Sequence, residues 1–241
     1  MKIEIWSDYM CPFCYIGKRR LEGALEKFTH SGEVQIIFKS FELEPQAPKD
    51  SNKPMIEHLA EKYGITAEQA KQMVNNVMIQ AKTAGLNFTF DGMKLTNTFD
   101  IHRLTKWAKE KGKDKEFAEK VFHAYFVENA RIGNNEVLLQ LASEAGLEKE
   151  EAKAVLDSDL YAKEVHQDEF EAKALNVRGV PFFVINRKYA LSGAQPEDVF
   201  LEVLQKIWEE EEKQPAIKTV ASNDESLQCS NEGCNIEKTN N

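Results

Sequence analysis

Four cysteines, Cys11, Cys14, Cys229 and Cys234, carry the most specific chemical signal in this 241-residue chain. They form two close pairs, one near each end of the sequence, and neither pair would link distant segments as the structural disulfides of small secreted domains do. Close pairs are more often redox-active or metal-binding than structural. The sequence therefore favours thiol–disulfide exchange or metal binding, and the spacing and surroundings of each pair help to separate the two.

The first pair, Cys11 and Cys14, has the spacing of a dithiol at the start of a helix. Two intervening residues allow the sulfurs to face each other across the first helical turn, close enough for a disulfide. The unpaired N–H groups and partial positive charge of a helix N-terminus stabilise a thiolate, which is the reactive form of cysteine. We expect Cys11, nearer the exposed end of the preceding strand, to be the nucleophile and Cys14 to resolve the mixed disulfide.

The residues between these cysteines, Pro12 and Phe13, fit a helix start. Proline sets the backbone for the first turn and has no N–H to leave unsatisfied. Neither residue carries a positive charge, so they add nothing to the helix in stabilising a thiolate. A structural zinc site needs four protein ligands, and no cysteine or histidine follows at a suitable spacing. Half of a zinc site and two inert core thiols remain the alternatives to a redox pair, and we expect no metal and no cofactor.

The second pair, Cys229 and Cys234, encloses four residues, of which Asn231 and Gly233 can form a turn that brings the sulfurs together. A disulfide closing so small a loop stabilises little. If it is flexible, the polar segment 213–228 spans roughly 20–24 Å. A compact chain of this length has a radius of gyration of roughly 18 Å, so the second pair can reach the first. We interpret the pair as a second dithiol that exchanges with the first. Incidental oxidation or binding of a soft metal is the alternative.

The elements that position the first pair are a strand, a helix and a second strand. Residues 2–7 alternate as a strand does, residues 15–28 have apolar positions at helical spacing, and residues 34–41 form a second strand pattern that ends at the Pro45 and Pro48 loop. The opening is therefore βαβ, with the cysteine pair where the strand becomes a helix.

Residues 51–175 have a helical pattern, punctuated by glycines suited to left-handed C-terminal caps at Gly64, Gly85, Gly112 and Gly146. Thr66 and Gln69 resemble a capping box. The strand pattern returns at 180–185, a turn follows at 186–187, a second short strand follows at 188–191, and Pro196 opens a last helix.

Three parts of the sequence, residues 7–18 (SDYMCPFCYIGK), the helical block and residues 179–183 (GVPFF), resemble the DsbA-like thioredoxin superfamily. The similarity covers nearly the whole chain and is greatest to the FrnE-type branch of predicted dithiol–disulfide isomerases, some of which carry a C-terminal CX4C pair. It implies a thioredoxin-like α/β fold in which a βαβ half at 1–50 and a ββα half at 176–212 flank an all-helical insertion at 51–175. Residues 213–241 would form a flexible tail.

The resemblance also implies site residues and an activity. The bond before Pro181 is expected to be cis and to lie against the cysteine pair, and the backbone of Val180 is expected to pair with substrate as an added strand. Pro12 and Phe13 are further expected substrate contacts. The implied activity is that of a thiol–disulfide oxidoreductase or isomerase, acting on protein or small-molecule disulfides, with glutathione or a thioredoxin-type protein as reductant.

Two other groups share this architecture and keep an alternative open. Kappa-class glutathione transferases and 2-hydroxychromene-2-carboxylate isomerases typically have serine at the nucleophile position and lack the second cysteine, whereas this chain keeps Cys11 and Cys14. Thiol exchange is therefore favoured over glutathione-dependent isomerisation or transfer, and a non-catalytic thiol or metal-binding module is a third possibility. His102 and Arg103 lie in a family-like segment where they could contact substrate, or where the histidine could be satisfied within a capped helix.

The composition argues against some classes of function. Charged residues make up 29% of the chain and the net charge is −9, which argues against a nucleic-acid-binding surface. No apolar run approaches the roughly 18 residues needed to cross a bilayer. The first residues lack the basic and apolar regions of a secretory signal, so we expect a cytoplasmic protein.

Overall fold

The computed structural model describes residues 1–212 and the backbone of 229–230 and 233–234. The chain divides into two compact units, Met1–Gln205 and Lys206–Asn241. Among residues 1–212, no helix combines the length and the apolar character needed to cross a lipid bilayer.

The first unit is built on a mixed sheet in the order β2-β1-β3-β4, whose strands are β1 (Lys2–Ser7), β2 (Gln35–Ser40), β3 (Phe182–Ile185) and β4 (Tyr189–Ser192). β1 pairs with β2 in parallel and with β3 antiparallel, and β3 pairs antiparallel with β4. β1 is thus internal, and its residues Ile3, Ile5 and Trp6 are buried, as expected for a strand covered on both faces.

The helices follow in chain order: α1 (Pro12–Lys27), α2 (Met55–Tyr63), α3 (Ala67–Thr83), α4 (Phe99–Glu110), α5 (Asp114–Phe126), α6 (Asn135–Glu144), α7 (Lys149–Leu156), α8 (Ala162–Ala174) and α9 (Glu197–Glu212). The order βαβ, then helices, then ββα confirms the predicted fold class. The capping box of Thr66 and Gln69 is present at the start of α3. All four predicted capping glycines have positive φ, between 63° and 79°.

The helical block packs on α1 through aromatic side chains. Tyr15 of α1 stacks on Phe122 of α5 with ring centroids 5.1 Å apart, and Phe122 also contacts Tyr9 at 4.9 Å. Cys11 and Cys14 belong to the same buried apolar cluster as the core of the helical block. The start of α1 is therefore fixed by both the sheet and the inserted helices.

The chain returns to the sheet through a cis bond between Val180 and Pro181, which confirms the expected isomer. β3 and β4 are joined at Asn186 and Arg187, whose φ values are 50° and 57°. Two consecutive positive φ angles are those of a type I′ turn. Arg187 then pairs with Glu4 of the central strand.

In the second unit, the backbone of β5 (Cys229–Ser230) pairs antiparallel with β6 (Gly233–Cys234), and Cys229 lies opposite Cys234. The predicted tether at 213–228 and the remainder of the predicted tail lie outside the described residues, as do the side chains of both cysteines.

Candidate active site

Both cysteines of the first pair lie at the start of α1, as their spacing predicts. Cys11 is the N-cap residue, in extended conformation, and Pro12 begins the helix. The backbone N–H of Cys14 donates to the carbonyl oxygen of Cys11 at 3.0 Å, which places Cys14 within the first turn. The Cys11 side chain caps no helical N–H, so its sulfur is available for chemistry next to the positive end of the helix.

Cys11 is more enclosed than the sequence suggests. It is 4% exposed, close to the 3% of Cys14, so the expectation that Cys11 sits at an exposed strand end is wrong. The inserted helices and the loop before β3 cover the end of β1. The Cys11 sulfur lies 3.4 Å from the carbonyl oxygen of Val180, to which its thiol donates. Cys11 also lines a large cavity, and this access sets it apart from Cys14.

The Cys14 sulfur is held inside the protein. Burial raises the pKa of its thiol well above the ordinary value, and the neighbouring Cys11 raises it further. The Ser7 hydroxyl and the backbone N–H of Asp8 both lower this pKa by hydrogen bonding to the sulfur, the N–H at 3.4 Å. Cys14 is therefore a protonated thiol near neutral pH, with two donors ready to stabilise its anion.

A cavity of about 690 Å³ opens beside Cys11, between the loops at the end of the sheet and helices α2 and α3. Four of the six methionines of the chain line it: Met10, Met55, Met73 and Met93. Methionine is flexible and polarisable, so such a wall adapts to apolar groups of different shape. Phe13 and Tyr63, which are 40% and 54% exposed, add aromatic surface at this cavity.

The charged side chains at the cavity neutralise one another. Glu44 accepts hydrogen bonds from His58, at 3.1 Å, and from Lys62. The lining is otherwise mainly apolar, with amide side chains of α3 at one side. The volume lies in the range of ordinary ligand sites, and the surface suits an apolar group better than an anion.

The predicted substrate-binding residues converge at this point. Pro12, Phe13 and Val180 line the cavity together with Cys11. Pro181 is buried behind them, against Gly17 of α1. A Cβ at position 17 would lie 3.0 Å from the Pro181 ring, so the absence of a side chain at Gly17 allows α1 and the proline to approach closely.

Asp8 is a site residue that the sequence reasoning missed. It is fully buried, and its carboxylate accepts hydrogen bonds from the hydroxyl of Thr98 and the backbone N–H of Leu43, each at 2.7 Å. The available signal was a carboxylate three residues before Cys11, at the end of a strand that is otherwise buried. A buried carboxylate is costly unless it is hydrogen-bonded.

His102 and Arg103 lie inside the protein rather than in the cavity. His102 contacts the carbonyl oxygen of Phe41 at 3.1 Å. Arg103 donates to the carbonyl oxygen of Leu160 at 2.8 Å and to Asp100 at 2.7 Å. Both side chains are satisfied within the fold, so the alternative of a satisfied histidine holds for His102.

Comparison with known proteins identifies the family to which this chain belongs. The family model for the DSBA-like thioredoxin domain matches residues 2–205. A crystal structure of a probable DsbA oxidoreductase from Streptomyces coelicolor is 38% identical, with a TM-score of 0.85, and the match covers 99% of this chain and 100% of that one. The uncharacterized protein YwbO of Bacillus subtilis is 29% identical over 202 residues, 82% of this chain and 92% of that protein.

A more distant structure shares the fold. The cytosolic disulfide reductase DsbM from Pseudomonas aeruginosa, solved with GSH, is 17% identical with a TM-score of 0.64, and the match covers 87% of this chain and all of that one. The family match spans the sheet, the inserted helices and both cysteines at the start of α1. The chain belongs to the DSBA-like thioredoxin domain family, the family of the DsbA-type thiol–disulfide oxidoreductases.

Proposed function

We propose that the protein catalyses thiol–disulfide exchange through Cys11 and Cys14. The observation that carries the proposal is the contrast between the two sulfurs. Cys11 lines a cavity at a helix N-terminus, whereas Cys14 is buried with a raised pKa. A nucleophile needs access to substrate and a stabilised anion, and a resolving thiol needs only to reach the first sulfur.

In the reductive direction, the Cys11 thiolate attacks one sulfur of a substrate disulfide. The substrate S–S bond breaks, a bond forms between Cys11 and the substrate, and the departing sulfur takes up a proton. Cys14 then loses its proton and attacks Cys11, which forms the Cys11–Cys14 disulfide and releases the substrate as a dithiol. Two electrons pass from the protein to the substrate. Reversal oxidises a dithiol, and isomerisation combines both directions.

The substrate backbone lies along Val180, and the side chains next to the substrate cysteine lie in the cavity. In this proposal the substrate backbone pairs with the chain just before cis-Pro181, as in strand addition. Pro12 and Phe13 flank the reacting sulfur. The methionine-rich wall accepts apolar groups next to the substrate cysteine, and protein disulfides with such neighbours fit it better than small anionic ones.

The recycling partner supplies or removes the two electrons. Glutathione or a thioredoxin-type protein in the cytoplasm would reduce the Cys11–Cys14 disulfide after each reductive turnover. The disulfide reductase DsbM, described as cytosolic and solved with GSH, lends support because it shares this fold.

The pair Cys229 and Cys234 forms a second exchangeable dithiol in this proposal. Its support is the backbone register, because the two residues lie directly opposite each other in an antiparallel pair, at a separation that permits a disulfide. Replacing both residues by serine should change the turnover or the redox potential of the first pair. If both quantities stay the same, the second pair takes no part in the reaction.

The test of the main proposal is turnover of a peptide disulfide with glutathione as reductant. The wild-type protein should reduce the peptide repeatedly and Cys11→Ser should be inactive. In a single turnover without glutathione, Cys14→Ser should stop at a mixed disulfide. An isomerase or transferase activity that requires glutathione and is fully retained in Cys14→Ser would favour that alternative. Stoichiometric zinc without any disulfide reduction would favour the binding module.

A further inference from the structure

We propose that Asp8 is a positioning residue that sets the rate at which Cys14 resolves the mixed disulfide. The inference rests on the proposed thiol–disulfide exchange and assigns a residue to its second step. Asp8 touches both cysteines through its backbone and fixes that backbone through its carboxylate.

The backbone of Asp8 contacts one cysteine through its carbonyl group and the other through its N–H group. Its carbonyl oxygen accepts from the backbone N–H of Cys11 at 3.1 Å. Its own N–H donates to the sulfur of Cys14 at 3.4 Å. Asp8 therefore orients the N-cap residue Cys11 and also supplies a donor to the buried sulfur of Cys14. A shift of Asp8 would disturb both contacts at once.

The carboxylate of Asp8 prevents such a shift because its donors come from separate parts of the fold. One oxygen accepts from the hydroxyl of Thr98, at 2.7 Å, and from the backbone N–H of Met10, at 3.4 Å. The other accepts from the backbone N–H of Leu43 at 2.7 Å. The ring of His102 lies 3.6 Å from the first oxygen. Asp8 thus ties the turn before α1 to the start of α4 and to the loop after β2.

This arrangement matters most in the resolving step. Cys14 must become an anion before it attacks Cys11, and burial raises the pKa of its thiol. A hydrogen bond to a charged group is stronger than one to a neutral group, so the N–H of Asp8 stabilises the Cys14 anion more than the thiol. The attack of Cys11 on substrate precedes this step and does not need the Cys14 anion. Loss of the Asp8 anchor should therefore slow resolution more than attack.

The experiment separates the two steps by rapid acid quench and mass spectrometry of the reduced full-length chain reacting with a peptide disulfide. The variant is Asp8→Asn, and the matched control is Asp168→Asn. Asp168 is also buried and accepts from Lys39 and from the backbone N–H of Ser40, each at 2.8 Å. We expect Asp8→Asn to slow resolution by about tenfold relative to attack, so that the mixed disulfide on Cys11 accumulates. Asp168→Asn should leave the ratio of the two rates unchanged.

The inference is overturned if folded Asp8→Asn has the same ratio of resolution rate to attack rate as the wild type. It is also overturned if Asp168→Asn changes that ratio equally. If Asp8→Asn does not fold, Thr98→Val decides, because it removes one donor to the carboxylate and leaves the turn intact. It should shift the ratio in the same direction by a smaller factor, and an unchanged ratio there also overturns the inference. A wild-type protein without any exchange activity would instead remove the proposed function itself.

Discussion

At the scale of single residues, the two sulfurs at the start of α1 meet different surroundings although one helical turn separates them. Cys11 lies at the N-cap, beside the carbonyl oxygen of Val180 and the cavity. Cys14 lies inside, with donors from Ser7 and Asp8. In the proposed exchange, the order of the two chemical steps follows from this asymmetry, because Cys11 lines the cavity and Cys14 does not.

Ser7→Ala should make the Cys14 thiol harder to ionise. Burial already raises the pKa of Cys14, and the Ser7 hydroxyl opposes that effect, so removing it should raise the pKa further. The hydrogen bond that is lost stabilises the Cys14 thiolate by about 0.5–1.5 kcal/mol. The measurement is thiolate absorbance against pH in a chain whose other three cysteines are serine.

The control for this change is Ser40→Ala. Ser40 is buried like Ser7 and lies opposite it in the β1–β2 register. It should leave the titration of Cys14 unchanged. Equal shifts in both variants would show that the Ser7 hydroxyl has no particular influence on Cys14.

At the scale of elements, α1 is tied to the inserted helix α5 by a half-buried polar network. Glu119 of α5 accepts hydrogen bonds from Tyr15 and Lys18 of α1, each at 2.6 Å, and from Arg19. Burial alone would raise the pKa of Glu119, but these partners outweigh it and the pKa is lowered. The network therefore stabilises the helix that carries the cysteines only while Glu119 is ionised.

Glu119→Gln should lower the free energy of unfolding by about 1–2 kcal/mol at pH 7. Because the folded-state pKa is depressed, the stabilisation is fully present above the unfolded value of about 4.3 and is lost as the pH falls through the folded value. The difference between wild type and variant should thus shrink in acid. Urea unfolding at pH 7 and below pH 4 measures it.

The matched control is Glu116→Gln, one turn earlier on α5. Glu116 pairs with Lys113 at the surface, at 3.4 Å, and surface pairs contribute little. It should change stability by much less than Glu119→Gln at pH 7. A loss as large as that of Glu119→Gln would mean that the network with α1 is not what stabilises this contact.

The sequence predicted these elements well where local chemistry decides them. The N-cap position of Cys11, the capping box at Thr66 and the hairpin turn at Asn186 all depend on residues within a few positions of each other. Asp8 could not be found this way. Its partner Thr98 lies 90 residues further along the chain, and only the folded insertion brings the two together. The enclosure of Cys11 was missed for the same reason.

At the scale of the whole first unit, the inserted helices and the end of the sheet form the two sides of the cavity beside Cys11. The helical insertion thus does more than extend the fold, since α2 and α3 supply the surface opposite the reacting sulfur. Specificity for the groups next to a substrate cysteine should reside in these helices.

Met73→Glu tests this division of roles. Met73 is 37% exposed and lines the cavity, so a carboxylate there would be partly desolvated by an apolar substrate. We expect kcat/KM to fall by about tenfold for a peptide disulfide with large apolar neighbours. The value for hydroxyethyl disulfide, which is too small to fill the cavity, should not change.

Ile79→Glu on the same helix is the control. Ile79 is 59% exposed and does not line the cavity, so neither substrate should be affected. A similar loss in both variants, or a loss for the small disulfide as well, would argue against substrate binding at this surface.

The most direct measurement of the central claim is a trapping experiment with Cys14→Ala in a chain whose Cys229 and Cys234 are replaced by serine. The reduced variant is mixed with a peptide disulfide, and the products are mapped by mass spectrometry after proteolysis. The roles proposed here predict a stable mixed disulfide on the fragment that contains Cys11, and none in Cys11→Ala at that fragment. A folded Cys14→Ala protein that forms no adduct on Cys11 would contradict the assignment of Cys11 as the nucleophile.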